Sequence, residues 1–146
     1  MLKVKIQKIS EDAIIPHYAH EDDAGMDLYS TKECIIGPNH RILVGTGIKI
    51  EIPKGYEMQI RPKSGLALKE GITVLNTPGT IDAGYRGEVG IIIVNHSSRI
   101  YKIERGQKIA QAVFNKIEKV QLVESELSQT KRGAGGFGST GIKKNF

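Results

Sequence analysis

RILVGTGIKIEIPKGYEMQIRP, residues 41–62 of the chain, contains two or three short runs that are rich in β-branched residues. Gly45, Gly47, Pro53 and Gly55 punctuate these runs. Apolar runs of this length, bounded by glycine or proline, are typical of β-strands joined by tight turns. The stretch therefore predicts closely spaced strands.

Similar patterns lie on both sides of this stretch. Apolar and polar residues alternate from Leu2 to Ile6, which predicts a half-buried strand. Residues 91–94 read IIIV and predict the core of a buried strand. Residues 99–117 alternate again, with a turn expected at residues 104–106. Strands spaced this closely favour a barrel or a jelly roll over alternating strands and helices.

One segment, SGLALKEG at residues 64–71, predicts a helix of one or two turns. Ser64 is its candidate N-cap, and Gly71 is the candidate residue that ends it. We therefore expect an all-β fold with one short helix.

Length and composition limit the class of protein. The 146 residues suit one domain, and a hydrophobic share of 39% with 25% charged residues is typical of globular chains. The single cysteine, Cys34, excludes an internal disulfide framework. No apolar run approaches the roughly 20 residues of a membrane span, and the first residues lack the apolar core of a signal peptide. We expect a cytoplasmic protein with no membrane partner.

The positive charge is concentrated in a glycine-rich tail. The net charge is +5, and residues 131–146 hold four cations and no acid, so the rest of the chain is nearly neutral. The tail cannot bury enough apolar surface to fold alone. It is either a disordered tail or an arm that closes over a ligand, and Arg132 and Phe137 favour the arm. We therefore divide the chain into a β-barrel domain at residues 1–124 and a flexible arm at residues 125–146.

Two segments in the first half of the chain hold candidate ligand contacts. Asp27 lies within AGMDL and is either a turn-forming residue or a carboxylate that faces a hydrated divalent cation such as Mg²⁺. RPKSG at residues 61–65 places Arg61 and Lys63 just before Ser64 and the first amides of the helix. This combination of cations and amides predicts a phosphate site.

Two further segments hold polar residues beside glycines. NTPGTIDAGYRG at residues 76–87 predicts a hairpin that can offer backbone groups and the Asn76 amide to a planar base. Asp82 is either a turn former or the base that orients a water molecule. In GQKIAQ, at residues 106–111, simple alternation puts Lys108 on one face of a strand and Gln111 on the other.

Together, five segments resemble the five ordered motifs of the homotrimeric dUTP pyrophosphatases (dUTPases), and the resemblance covers nearly the whole chain. They are AGMDL at 24–28, RPKSGLA at 61–67, GTID with YRG at 79–87, GQKIAQ at 106–111 and RGAGGFGSTG at 132–141. The resemblance implies a jelly-roll-like distorted barrel of the β-clip type and a homotrimer with active sites at subunit interfaces. It also implies Mg²⁺-dependent cleavage of dUTP to dUMP and pyrophosphate.

The resemblance implies a role for each matched residue. Asp82 would activate the water that attacks the α-phosphorus, Tyr85 would pack against the deoxyribose, and Asp27 would hydrogen-bond waters on Mg²⁺. The other implied substrate contacts are Asn76, Gly79 and Ile81 for uracil, Ser64, Gly65 and Gln111 for the phosphates, and Arg132, Phe137, Gly138 and Ser139 in the closing arm. Arg61 and Lys63 are predicted to bind the substrate from their place in the RPKSG segment.

Two positions, Lys63 and Lys108, depart from the commonest family pattern, and two other functions stay open at this point. Lys108 stands where arginine is usual and offers a point charge instead of a fork. A dCTP deaminase-like enzyme of the same fold would lack such an arm and would carry a glutamate for chemistry on the base. A nucleic-acid-binding module would use the basic tail, but the neutral body argues against nucleic acid as a partner.

Overall fold

The strands pack as two four-stranded sheets and a two-stranded ribbon. The structure is a computed structural model and describes residues 1–144. Within these residues no helix is long and apolar enough to span a membrane. The elements in chain order are β1 (Lys5–Lys8), β2 (Met26–Tyr29), β3 (Cys34–Ile36), β4 (Arg41–Glu51), β5 (Tyr56–Arg61), α1 (Ser64–Glu70), β6 (Ile72–Val74), β7 (Gly79–Ile81), β8 (Glu88–Asn95), β9 (Tyr101–Ile103) and β10 (Lys108–Lys116). The expectation of an all-β fold with one short helix is confirmed.

Both four-stranded sheets contribute apolar side chains to one core. The first sheet has the order β1-β4-β8-β6 and the second has the order β2-β10-β5-β7, while β3 pairs with β9. Leu28, Met58, Ile91 and Ile109 are among the fully buried core residues. Each such side chain contributes about 1.5–3 kcal/mol when it leaves water. The core therefore holds the sheets in the arrangement that positions the polar residues described below.

The stretch at residues 41–62 forms β4 and β5, joined by a turn at residues 53–55. Gly55 in this turn has a φ angle of +87°. Gly45 and Gly47 do not separate two strands, because both lie within the eleven residues of β4. Their effect is a break in register, since the pairing of β4 with β8 shifts between Gly45 and Lys49.

Hydrogen bonds from β4 to acceptors on β8 hold this irregularity in place. The Thr46 hydroxyl donates to the Val89 carbonyl at 2.5 Å, and the Gly47 N–H donates to Glu88 Oε1 at 2.9 Å. Gly47 has a φ angle of +68°, and a Cβ added there would lie 2.9 Å from the Cβ of Ala13. Both the backbone angle and the close packing therefore require glycine at this position.

The helix starts differently from the prediction. Ser64 is its first residue and not its cap; Lys63 is the N-cap, in an extended conformation and without a side-chain cap bond. The predicted cap is wrong because the chain is still extended at Lys63, which places Ser64 inside the first turn. The predicted end is confirmed: Gly71 is left-handed, with a φ angle of +66°, and its N–H donates to the Ala67 carbonyl.

The predicted hairpin at residues 76–87 is wrong in its pairing. Strands β6 and β8 pair with each other in the first sheet, whereas β7 between them pairs with β5 in the second sheet. Close packing favours this crossing, since a Cβ added at the buried Gly79 would lie 3.3 Å from the Cβ of Ile60. Strand β7 therefore becomes an edge strand.

The remaining strand predictions have mixed outcomes. Strand β1 lies at Lys5–Lys8, pairs only with β4 and is exposed throughout, so the half-buried strand is wrong. The buried run at residues 91–94 is confirmed within β8. The turn at residues 104–106 is confirmed by a hydrogen bond of 3.1 Å from the Gln107 N–H to the Glu104 carbonyl.

We expect Gly47→Ala to lower the free energy of unfolding by about 2–4 kcal/mol, because the new Cβ is crowded and its backbone is left-handed. Gly55→Ala is the matched control, since its φ is also positive but nothing lies within 4 Å of the added Cβ. The control should lose only about 1–2 kcal/mol. Urea unfolding followed by circular dichroism measures both variants, and equal losses would contradict the crowding at Gly47.

Candidate active site

A row of polar side chains crosses three neighbouring strands of the second sheet. Gln111 on β10 lies opposite Asp27 on β2 and opposite Arg61 on β5. Residues that face each other across antiparallel strands share one face of the sheet. Strand pairing thus brings together an acid, an amide and a cation that are far apart in sequence. We call Asp27, Gln111 and Arg61 the polar row.

Two lysines bind the carboxylate of Asp27. The Nζ of Lys63 contacts Oδ1, and the Nζ of Lys108 lies 2.9 Å from Oδ2. The Asp27 side chain is only 14% exposed. Lys63 comes from the loop after β5, whereas Lys108 is the first residue of β10. The predicted phosphate contact Lys63 is thus joined to the acid that was predicted to face a metal.

The lysines keep Asp27 ionised. Burial is the largest single influence and would raise the pKa of the Asp27 carboxyl, but the hydrogen bonds and charges of Lys63 and Lys108 together hold the pKa below its usual value. The hydrogen bond and charge of Asp27 in turn raise the pKa of Lys108. One carboxylate between two ammonium groups leaves a net positive cluster, which suits an anionic ligand.

A bulge in β10 allows Lys108 to reach Asp27. The register of β10 against β2 shifts between Lys108 and Ala110, and the consecutive residues Ile109 and Ala110 are both buried. A bulge adds one residue to one strand and re-aims the side chains beyond it. The expectation that Lys108 and Gln111 face opposite sides is therefore wrong, since both lie at Asp27. Sequence alternation alone carried no signal of this bulge.

Gln111 is held from two sides. Its Nε2 donates to the Pro62 carbonyl at 3.0 Å, in the loop that leads to the helix. A Cβ added at Gly25 would lie 2.3 Å from Gln111 Oε1, so the absence of a side chain at Gly25 makes room for the amide. The AGMDL segment therefore contributes Gly25 as well as Asp27. The sequence prediction missed this role, and its only signal was the position of Gly25 inside the motif.

Arg61 presents a guanidinium that is fixed on one side. Its Nε and Nη2 donate to Gln59 Oε1 at 3.0 and 2.8 Å, and Gln59 donates to Glu57. The opposite edge of the guanidinium is available to an anion. Ser64 and Gly65 follow Lys63 and are exposed in the first turn of α1. The predicted phosphate residues therefore lie on adjoining segments.

A second group of predicted site residues lies on β7 and in the loop after it. The Asp82 side chain is exposed, and the Asp82 carbonyl accepts the Tyr85 N–H at 3.1 Å. The Tyr85 hydroxyl donates to the Glu88 carbonyl at 2.8 Å. A Cβ added at Gly87 would lie 2.4 Å from the Tyr85 hydroxyl oxygen, so this glycine lets the ring lie close to the loop. The loop thereby fixes the plane of Tyr85.

Backbone groups of β7 are also available for binding. Strand β7 lies at the edge of its sheet, so half of its N–H and C=O groups point away from β5. Gly79 is buried and Ile81 packs against the core. The exposed Asn76 lies beside them, with its Nδ2 3.4 Å from a Cβ added at Gly79.

The two groups meet only at one end of β7: Gly79 lies opposite Ile60, next to Arg61, whereas the Asp82 end of β7 lies away from the polar row. Ile81, the residue before Asp82, lies opposite Met58 on β5. Met58 is three residues from Arg61, or about 10 Å along the strand. Because β7 runs antiparallel to β5, Asp82 continues away from the polar row.

Residues 125–143 of the predicted arm make no described hydrogen bond to either group. The hydrogen bonds described for residues 118–143 all join residues of that segment, including one of 2.8 Å from Arg132 Nε to the Gly135 carbonyl. Phe137 is fully exposed, and Gly138 and Ser139 are exposed as well. Residues 145 and 146, the last of the predicted arm, lie outside the described residues.

The donor set around Asp27 limits how a metal can bind. Within residues 1–144, no three His, Cys, Asp or Glu side chains cluster closely enough to hold a metal ion. Each Asp27 oxygen already accepts a lysine, but a carboxylate offers about four acceptor positions, so hydrogen bonds from metal-bound water still fit. The site suits a cation that arrives with its ligand.

Comparison with known proteins identifies the family. A family model described as dUTPase matches residues 11–141. The chain belongs to the dUTPase family. The deoxyuridine 5'-triphosphate nucleotidohydrolase of Clostridium tetani is 59% identical over 139 residues, which are 94% of this chain and 96% of the relative. The enzyme of the same description from Alkaliphilus metalliredigens is 56% identical over 144 residues, which are 98% of this chain and 100% of the relative.

Solved dUTPases share the fold. A dUTPase of Staphylococcus bacteriophage 80alpha, described with dUpNHpp, has a TM-score of 0.86 and 28% identity, covering 96% of this chain and 99% of that chain. A dUTPase of phage phi11 of S. aureus, described as coordinating a structural Mg(II) ion, has a TM-score of 0.81 and 26% identity, covering 88% and 99%. The expectation of a jelly-roll-like β fold is confirmed.

We expect Asp27→Asn to destabilise the protein by about 1–3 kcal/mol at neutral pH, because two lysines lose their charged acceptor. Because the pKa of Asp27 is lowered in the folded state, its contribution to stability is complete above the unfolded pKa near 3.8. That contribution is lost as the pH falls through the lower pKa of the folded state. The difference in melting temperature between the native chain and the variant should therefore stay constant from pH 7 down to about 3.8 and shrink only as the pH falls further, through the folded value.

Asp12→Asn is the control for this measurement, since it removes only an exposed ion pair with Arg105 at 3.4 Å. Such a pair contributes about 0–1 kcal/mol to stability. The melting temperature of Asp12→Asn should therefore follow that of the native chain across the pH range. A difference in melting temperature between Asp27→Asn and the native chain that does not shrink as the pH falls below 3.8 would contradict the assigned electrostatics.

Proposed function

We propose that the chain hydrolyses dUTP to dUMP and pyrophosphate, with water attacking the α-phosphorus. The observation that carries this proposal is the polar row, with its two lysines, on the sheet whose edge strand leads into the Asp82 loop. The names of the relatives support the same reaction. The activity would limit uracil incorporation into DNA and would supply dUMP for dTMP synthesis.

The phosphates are proposed to bind at the polar row. A triphosphate with a bound divalent cation has about two net negative charges, so a few cations and amides suffice. Arg61 offers a free edge, Gln111 offers its amide, and Ser64 and Gly65 offer the hydroxyl and amides of the adjoining turn. Lys63, which was predicted to bind phosphate, lies beside these groups with its ammonium on Asp27, so its charge favours the phosphates from there.

Mg²⁺ is proposed to arrive on the triphosphate, with Asp27 accepting hydrogen bonds from its waters. When bound, the metal shields the phosphate oxygens and makes pyrophosphate a better leaving group. The contribution of the chain is a carboxylate that stays ionised at neutral pH because two lysines hold it. A protonated acid would offer fewer acceptor positions at this point.

Uracil is proposed to bind along the outer edge of β7. Backbone groups of Gly79 and Ile81, with the Asn76 amide, would pair with the polar edge of the base. Cytosine would leave donors and acceptors unpaired there, which costs about 1–3 kcal/mol for each buried group. The methyl group of thymine would meet a closely packed strand. Tyr85, with its plane fixed over Gly87, would support a deoxyribose and exclude a 2′-hydroxyl.

Asp82 is proposed as the general base. Its carboxylate has no ion pair or hydrogen bond among the described residues, so it is free to bind a water molecule. As the water oxygen bonds to the α-phosphorus, a water proton passes to Asp82 and the bond to the leaving pyrophosphate breaks.

The active site is proposed to combine several copies in a homotrimer. About 10 Å of β5 separates the polar row from the residue opposite Ile81, and Asp82 points further away. The Asp82 loop of one copy would therefore face the polar row of another. The arm would close over the nucleotide, with Arg132 at the γ-phosphate, Phe137 on uracil, and Gly138 and Ser139 beside them. We propose a cytoplasmic enzyme with no nucleic-acid or membrane partner.

The test of this function is pyrophosphate release from dUTP and from each of the four standard deoxynucleoside triphosphates. We expect turnover of dUTP that exceeds that of dTTP and dCTP by more than about a hundredfold, because unpaired polar groups and a tight pocket act together. Ammonia release from dCTP would instead identify a deaminase. Binding of DNA with a steep salt dependence and no hydrolysis would identify a nucleic-acid-binding module.

We expect Asp82→Asn to reduce kcat for dUTP by at least about a hundredfold while the affinity for a non-hydrolysable dUTP analogue stays within a few fold. The physical reason is that the amide can hold a water molecule but cannot accept its proton. Pyrophosphate release and isothermal titration calorimetry measure the two effects. Asp12→Asn serves as the control, and near-normal turnover of Asp82→Asn would refute the assigned base.

Deleting residues 131–146 should leave a folded trimer whose kcat for dUTP falls by at least about a hundredfold, because the arm lies outside the core and closes the site. Deleting only residues 142–146 is the matched control and should preserve activity, since the resemblance ends at Gly141. Circular dichroism, light scattering and turnover are the measurements. An unfolded longer deletion would show that the arm is structural.

A further inference from the structure

Lys63 and Lys108 contact different oxygens of the same carboxylate. Lys63 binds Oδ1 of Asp27 and Lys108 binds Oδ2. A single guanidinium can make both contacts, because its N–H groups form a fork that matches a carboxylate. The two lysines therefore make together the two contacts that one arginine side chain can make alone.

We propose that Lys63 is a positioning residue for Asp27 and that it shares this role with Lys108. An arginine at residue 108 therefore makes Lys63 dispensable for the positioning of Asp27. The inference rests on the proposed function, since the position of Asp27 matters for dUTP turnover. This positioning role differs from a direct contact between Lys63 and phosphate, because no change at residue 108 could replace such a contact.

The segments that meet at Asp27 explain why its position matters. Lys63 belongs to the loop between β5 and α1, and the Pro62 carbonyl of that loop accepts the Gln111 amide. The ion pair between Lys63 and Asp27 thus holds this loop against β2 and β10. Ser64 and Gly65 follow directly in the chain. Losing the Lys63 ammonium frees Asp27 to rotate and loosens the loop that carries the proposed phosphate contacts.

The exposure of Lys108 makes the substitution physically reasonable. Its side chain is 51% exposed, so the larger guanidinium of arginine can extend without displacing buried atoms. Lys63 is only 29% exposed and approaches Asp27 from the other side. An arginine at residue 108 can therefore bind both Asp27 oxygens once the Lys63 ammonium is gone.

The test is a double-mutant cycle on the full chain, with Lys63→Met, Lys108→Arg and the double variant. Methionine keeps most of the aliphatic stem of Lys63 and removes its charge. The measurements are kcat and KM for dUTP and the melting temperature without nucleotide. Lys69→Met, which removes an exposed charge from the last turn of α1, is the control and should leave all three unchanged.

We expect Lys63→Met to lower kcat about tenfold and the melting temperature by about 2–4 °C when residue 108 is lysine. With arginine at residue 108, we expect the same change to lower kcat by less than about twofold and to leave the melting temperature nearly unchanged. KM should change less than kcat in both backgrounds, because the effect acts through the position of Asp27.

Equal losses of kcat in the two backgrounds would overturn the inference, as would a loss confined to KM. If the native chain releases no pyrophosphate from dUTP, the proposed function fails by itself. The melting temperatures then decide the coupling alone: non-additive shifts support the shared role, and additive shifts overturn it.

Discussion

The simultaneous pairing of β10 with β2 and β5 is the constraint on which the site depends. Gln111 is in register with Asp27 on one side and with Arg61 on the other. A slip of one residue would send these side chains to the opposite face of the sheet. Ile109 in the bulge and Ala110 after it are both buried, and a slip would expose their apolar surface, so their burial opposes it. Core packing thereby determines which polar groups meet.

Glycines shape the site by the side chains that they lack. Gly25 leaves the volume that the Gln111 amide occupies, and Gly87 leaves the volume that the Tyr85 ring occupies. In both cases the backbone comes close enough to fix the orientation of a larger side chain. Pre-organisation of this kind reduces the conformational entropy that binding would otherwise cost.

The sequence predicted several local features because they follow from local patterns, although it misplaced the N-cap of the helix by one residue. The buried run at residues 91–94, the glycine that ends the helix and the turn at residues 104–106 all follow from neighbouring residues. The bulge before Ala110 and the crossing of β7 to the other sheet did not, since both depend on which strands become neighbours. The pair of Lys63 with Asp27 was missed for the same reason.

The spacing along β5 also affects how two different variants of the chain would behave when they assemble together. The polar row and the Asp82 loop lie at different positions on the same sheet, and the proposed site joins one of them to the other from a neighbouring copy. A substitution that damages the polar row and a substitution that damages the Asp82 loop would then compensate for each other when they lie in different copies. Trimers assembled from both kinds of chain would retain some sites in which each half comes from an undamaged copy.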